Sequence, residues 1–151
     1  MLLNIVTDEE LLASEVVKTI LLILIIVGIV YNLARLFRRG SKNRKIINFI
    51  ILSFLIFLVF FVGKEYIVEG AMLRNPHYVK GTTIGYCSVF ALGKGIEFEY
   101  EINGRKFRNC NTYYPVAKDS IKVPGGEFSV RYAQSFPDRG RMDFQKKPNK
   151  N

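Results

Sequence analysis

The sequence predicts an α+β membrane protein: an N-terminal two-helix transmembrane hairpin followed by a small antiparallel β sheet or open barrel of about five strands. Three observations carry this prediction. Two long apolar runs lie in the first half of the 151-residue chain, and a short basic segment separates them. Beyond residue 75, apolar residues alternate with polar ones, and this period is typical of strands.

Composition sets the broad class. The chain is 49% hydrophobic, carries a formal net charge of +9, and has a positive mean hydropathy of +0.13. A net positive charge often indicates binding to nucleic acid or to an anionic surface, but a positive mean hydropathy is typical of a chain with membrane spans. We therefore expect a lipid bilayer and a protein as partners, no nucleic acid and no cofactor.

The two apolar runs cover about residues 16–37 and 46–63. Each is long enough to cross a hydrocarbon core of ~30 Å. Neither carries an ionisable residue at its centre, so autonomous ion-coupled transport is not expected. The first run is no cleaved signal, because an acidic segment precedes it and bulky basic residues follow it. Thr7 and Glu10 resemble a capping box that starts the first helix near Asp8.

Orientation follows from the segment between the spans. It holds six positive charges and no acidic residue: Arg35, Arg38, Arg39, Lys42, Arg44 and Lys45. A short loop with such an excess stays in the cytoplasm. The sequence thus predicts a multi-pass protein of a bacterial cytoplasmic (inner) membrane, with the N-terminus and the C-terminal domain outside the cytoplasm.

Two asparagines lie at similar depth in the spans. If the hairpin turns near Gly40, Asn32 and Asn48 are each about 12 Å from the turn. An amide–amide hydrogen bond between them would stabilise the hairpin by about 1 kcal/mol. The alternative is that both side chains simply reach toward the lipid headgroups.

The predicted domains are the hairpin at 1–74, an exported β domain at 75–145 and a polar tail at 146–151. Asn75-Pro76 ends the second helix. Five strands are expected, at 78–91, 97–102, 105–113, 120–123 and 127–132. Turns are expected at 124–126 and 136–138.

One β hairpin has a predicted register. Asn103-Gly104 is the dipeptide most favoured for a two-residue type I′ turn. It places Glu101 opposite Lys106, Glu99 opposite Arg108, and Tyr100 beside Phe107. Two of the three carboxylates of 97–102 then have basic partners, which is ordinary for a solvated sheet face and does not indicate a metal site.

The turn and core residues of the second half resemble a known group. These are the Tyr- and Ile-containing strand before Asn103-Gly104-Arg105, then Val130-Arg131-Tyr132, with Pro137 a few residues later. Over Gly81 to Asp138 the chain resembles a widespread bacterial group of small membrane-anchored β domains of unknown function. The resemblance implies a fold and supplies no catalytic residues.

Cys87 and Cys110 lie in the exported domain, where oxidation is allowed. In a flat three-strand meander the middle strand would keep them about 9–10 Å apart, too far for a bridge. A disulfide needs the sheet to curl or the strand order to differ. Both a disulfide and free half-buried thiols stay open at this point.

The sequence favours a contact function over turnover. His77, the two cysteines and the strand glutamates form no nucleophile, acid–base or metal motif, so we expect no enzyme. We expect a membrane-anchored interaction module or accessory subunit of an envelope complex, with Tyr113 and Tyr114 as candidate partner contacts, unless they pack in the core. Two alternatives are an immunity-type inhibitor that protects against a toxin, and an exported thiol enzyme.

Overall fold

The computed structural model describes residues 5–37, 41–90 and 93–148, and it has the predicted fold class. The helices are α1 (Asp8–Phe37) and α2 (Lys42–Arg74). The strands are β1 (Pro76–Val89), β2 (Gly93–Ile102), β3 (Arg105–Asn111), β4 (Glu127–Ala133) and β5 (Phe136–Asp143). They form one antiparallel sheet in the order β3-β2-β1-β4-β5, nearly closed into a barrel.

Contacts divide the chain into two compact units, Ala13–Ile67 and a β unit of Met1–Leu12 with Val68–Asn151. This division differs from the predicted boundary at 74/75. The ends of both helices belong to the β unit because Leu11, Val68, Met72 and Ala133 pack into one buried cluster.

The unit Ala13–Ile67 contains the apolar parts of both helices. Each helix is long and apolar enough to cross a membrane. Only 6% and 11% of their most apolar stretches are buried, whereas the core helix of a soluble protein is mostly buried. A Cβ added to Gly28 of α1 would lie 3.4 Å from Leu55 Cδ1 of α2, so the small residue permits a close helix contact here.

The capping box at the start of α1 is confirmed. The backbone N–H of Glu10 donates to Thr7 Oγ1 at 3.3 Å, and the N–H of Thr7 donates to Glu10 Oε2 at 3.4 Å. Burial alone would raise the pKa of Glu10. The hydrogen bonds from Thr7, Tyr113 and Val6 outweigh burial and lower this pKa below its ordinary 4.5.

The predicted β2–β3 hairpin is confirmed with its register. Tyr100 lies beside Phe107, and Glu99 lies opposite Arg108. Asn103 and Gly104 have φ of 50° and 77°, as a type I′ turn requires. Glu99 accepts from Arg108 Nε at 3.1 Å and from Lys106 Nζ at 3.3 Å, although Lys106 is directly opposite Glu101. These two bonds lower the pKa of Glu99.

The fifth strand is not where the sequence placed it. Residues 120–123 form no strand; the Thr83 hydroxyl donates to the carbonyl of Lys122 at 2.7 Å, and Ile121 is buried in the core. The strand is instead β5, which begins at the predicted turn 136–138. Pro137 is compatible with β5 because this strand lies at the edge of the sheet.

Side-chain amides join the two edge strands of the sheet. Asn109 Nδ2 of β3 donates to the carbonyls of Asp138 and Gly140, both at 3.0 Å. Asn111 Nδ2 donates to the carbonyl of Met142 at 2.8 Å. These bonds link β3 to β5, so the sheet closes without a backbone ladder at this seam.

The flat-sheet separation expected for Cys87 and Cys110 does not hold, and of the two alternatives left open the disulfide is the one formed. The two residues form a disulfide, and their Cα atoms are 6.0 Å apart. The predicted β2–β3 register is correct, since Cys110 lies opposite Glu97, but the sheet is curled and not flat. Gly95 pairs with Cys87, and a Cβ on it would come within 2.9 Å of Cys110 Sγ. The missing side chain leaves room for the bridge.

Candidate interaction surface

An open groove lies at one mouth of the barrel. It has a volume of about 500 Å³ and is lined by residues from the β2–β3 turn, the start of β1, the end of β4 and the start of β5. We call it the mouth groove. Its lining residues are His77, Ile102, Asn103, Arg105, Phe107, Tyr132, Gln134 and Pro137.

The floor of the mouth groove is apolar and aromatic. Phe107 is half-buried and stacks on Tyr100 with ring centroids 5.6 Å apart. Tyr132 lies opposite His77 in the β1–β4 ladder, and their rings are 5.6 Å apart. Period-2 alternation places Tyr132 on the same inward face as the fully buried Val130. The groove thus exposes the end of the barrel core.

The opposite end of the core is covered by the chain between β3 and β4. Tyr114, Val116, Ile121 and Val123 of this connection pack against the central cluster. Apolar side chains inside a small barrel normally fill it, and ligand sites form at a mouth that stays open.

The Tyr100 hydroxyl fixes the wall beneath the mouth groove. It donates to the carbonyl of Pro137 at 2.6 Å and accepts from Gly140 N at 2.9 Å and Asn109 Nδ2 at 3.1 Å. Burial is the main cause that raises the pKa of Tyr100 to about 12. The hydroxyl therefore stays protonated at physiological pH and acts as a structural group.

A second groove continues from the first, because both are lined by His77 and Gln134. It has a volume of about 530 Å³ and lies where α2 leads into β1, facing the β4–β5 turn. Its remaining lining residues are Ala71, Arg74, Asn75, Pro76, Ala133 and Ser135. Together the grooves form an elongated surface.

The lining of both grooves has a one-sided charge. Arg74 and Arg105 are cationic, and no lining residue is an Asp or Glu. The lining also lacks a cysteine, and no three His, Cys, Asp or Glu side chains of the described residues form a possible metal site. Aromatic residues and arginine, both present in the lining, are residue types enriched at protein interfaces.

The structure keeps His77 apart from the cysteines. His77 and Cys87 are ten residues apart along the same strand, β1. Cys87 is bonded to Cys110 and has no thiolate to act as a nucleophile. A Cys–His dyad is therefore not formed.

Tyr113 and Tyr114 are half-buried and have partners within the protein. Tyr113 donates its hydroxyl to Glu10 Oε1 at 3.2 Å, and this bond raises its pKa. Tyr114 packs edge-on against Phe144 with ring centroids 6.0 Å apart. Core packing, the alternative explanation of these residues, accounts for Tyr114.

Among the described residues, Asn32 and Asn48 form no hydrogen bond with each other. Asn32 Nδ2 donates to the Gly28 carbonyl of its own helix at 2.8 Å, and Asn48 is buried. Among the six basic residues of the predicted loop, Arg35, Lys42, Arg44 and Lys45 are exposed. Arg38 and Arg39 lie outside the described residues, as does the tail beyond Pro148. The tail begins later than expected, since the carbonyl of Lys146 accepts from Ser129 N at 2.9 Å.

Two buried arginines form a cluster that sequence reasoning missed. Arg131 and Arg141 lie directly opposite each other on β4 and β5. Arg141 Nη2 donates to Glu69 Oε1 at 2.9 Å, while Arg131 donates to the Met72 carbonyl near the end of α2. Arg131 also pairs with Asp8 at 2.7 Å. We call this set the arginine clamp.

The arginine clamp leaves both faces of β4 buried. Val130 is fully buried in the barrel core. Arg131 on the opposite face is also buried, because the helix ends cover that face. No sequence signal distinguishes Arg131 from a solvated strand arginine.

Comparison with protein-family models, curated proteins and solved structures finds no match to this chain. The resemblance to the bacterial group of membrane-anchored β domains therefore stays a prediction.

Proposed function

We propose that the protein is a non-catalytic, membrane-anchored interaction module, an accessory subunit of a bacterial envelope complex that binds a protein partner through its β unit. The mouth groove carries this proposal. It is open, about 500 Å³ in volume, and lined by aromatic, amide and guanidinium groups. Aromatic residues and arginine are enriched at protein interfaces.

The disulfide supports an exported β unit. Disulfides persist in oxidising compartments and are rare in the cytosol. The basic segment between the helices, with Lys42, Arg44 and Lys45, supports a cytoplasmic loop. We therefore propose two membrane spans, with both termini outside the cytoplasm.

Topology is tested with reporter fusions. Alkaline phosphatase, which folds only when exported, is fused after Asn151 or inserted after Ser41. We expect activity from the first fusion and none from the second. The reverse pattern would contradict the proposed orientation.

Partner binding is tested by site-specific photo-crosslinking in the native membrane. A photoreactive amino acid replaces Gln134 in the mouth groove, and a control variant carries it at Lys94 in β2, distant from the groove lining. We expect a discrete crosslinked species from position 134 alone. Equal labelling at both positions, or none at 134 with normal protein levels, would refute a groove partner.

A further inference from the structure

We propose that the mouth groove binds an extended acidic peptide segment, with Arg105 as the carboxylate-binding residue. This inference rests on the proposed function and names the chemistry of its partner. The peptide would place a carboxylate at the rim of the groove and a neighbouring apolar side chain on its floor.

Arg105 presents its guanidinium group at the mouth groove. Its side chain is exposed at the groove rim, and within the described residues it makes no ion pair or hydrogen bond. Other arginines of the β unit differ: Arg108 pairs with Glu99, and Arg141 pairs with Glu69. A guanidinium presents a planar fork of donors that matches a carboxylate, so an unused one beside a groove favours that ligand group.

The charge of the lining is complementary to an acidic ligand. No carboxylate lines the mouth groove, so a bound acidic group meets no repulsion from the lining. The adjoining groove adds Arg74 and again no carboxylate. A peptide that continues from one groove into the other therefore meets no carboxylate of the lining in either.

The rest of the lining selects a peptide over a small anion. Asn103 and Gln134 are exposed at the rim, and an amide both donates and accepts, as the backbone of an extended chain requires. Phe107 and Tyr132 offer a half-buried aromatic floor that an inorganic anion would not use. The volume of about 500 Å³ falls in the range of ordinary ligand sites.

The test uses the full chain in phosphatidylcholine nanodiscs and fluorescence anisotropy. One labelled peptide repeats Glu-Leu-Glu-Phe, and its matched control repeats Gln-Leu-Gln-Phe. We expect the acidic peptide to bind more tightly, and raised salt to weaken it because the contacts are exposed. Arg105→Gln should weaken the acidic peptide by about fivefold or more and leave the amide peptide unchanged.

A matched variant distinguishes a site from general attraction to a chain of charge +9. Lys94→Gln removes the same charge from β2, outside the groove lining, and should leave peptide binding unchanged. Arg105→Glu should reverse the preference toward a peptide that repeats Lys-Leu-Lys-Phe. Equal losses in Arg105→Gln and Lys94→Gln would overturn the proposal, as would equal binding of the acidic and amide peptides.

The two proposals fail separately. Photo-crosslinking at Gln134 with no preference for the acidic peptide would overturn the acidic ligand and keep the interaction module. A different result would assign the groove to a lipid surface and overturn the peptide proposal. In that result, the protein in nanodiscs binds anionic lipid vesicles tightly, Arg105→Gln abolishes this binding, and the acidic peptide does not bind.

Discussion

Removing one member of the Glu69–Arg141 pair should destabilise the β unit strongly. Both side chains are only 2% exposed, and Arg141 Nη2 lies 2.9 Å from Glu69 Oε1. Glu69→Ala leaves a buried guanidinium without this carboxylate, and loss of one partner of a buried pair costs about 3–5 kcal/mol. The other anion of the arginine clamp is the Asp8 carboxylate, which pairs with Arg131 on the neighbouring strand.

Replacing both members should cost much less than the two single changes together. Glu69→Leu with Arg141→Met removes both charges and keeps similar volume, and such exchanges of buried pairs are often close to neutral. The Ile5 carbonyl, which accepts from Arg141 Nη1 at 3.0 Å, loses its donor in the double variant, so a residual cost of about 1–3 kcal/mol remains.

The assay is urea-induced unfolding of the purified full chain in detergent, followed by proteolytic susceptibility of the β unit. Glu99→Ala is the control: it breaks two ion pairs, whose Lys106 and Arg108 side chains are both 66% exposed, and it should cost at most about 1 kcal/mol. If Glu69→Ala costs no more than this control, or the single changes simply add, the arginine clamp is not the coupled buried pair described above.

Three further predictions concern the sheet. Tyr100→Phe should cost about 1–3 kcal/mol, because it removes one donor and one acceptor from a buried network. The folded pKa of Tyr100 is raised to about 12 from 10.0, so its contribution to stability is complete below pH 10 and is lost as the pH rises through 12. Over that window, the free energy of unfolding, measured by thermal unfolding, should therefore fall more in the wild type than in Tyr100→Phe. Gly104→Val should destabilise the hairpin by about 1–2 kcal/mol in the same assay, because a β-branched residue is strained at a φ of 77°, and Gly104→Asn should cost less. Cys87→Ser should lower the free energy of unfolding by about 3 kcal/mol, since the bridge closes a loop with a sequence separation of 23, and a reducing agent should reproduce the loss in the wild type alone.

Features set by neighbouring residues were predictable. The capping box of Thr7 and Glu10, the end of α2 before Pro76 and the turn at Asn103-Gly104 each depend on a few adjacent residues, and all are confirmed. The register of β2 and β3 then follows from the turn, because side chains alternate with a period of two.

Features that depend on distant partners were not predictable. Arg131 and Arg141 bind groups 59–136 positions away along the chain, and nothing in their own strands indicates burial. The mouth groove has the same origin. Arg105, His77 and Tyr132 lie on three different strands and come together only because the barrel mouth collects the ends of all five strands.

The misplaced fifth strand and the disulfide that the sequence left undecided have a common cause, which is closure of the sheet. A strand that pairs with β4 alone needs no continuous alternation and tolerates Pro137, so β5 carried the pattern of a turn. The same strand approaches β3 through Asn109 and Asn111, whose amides bond to its carbonyls. The two-strand spacing between Cys87 and Cys110 holds only for a flat sheet, and a sheet this curled brings their Cα atoms to 6.0 Å. In this sheet, the amides of Asn109 and Asn111, at alternate positions of β3, hold the seam at which the barrel closes.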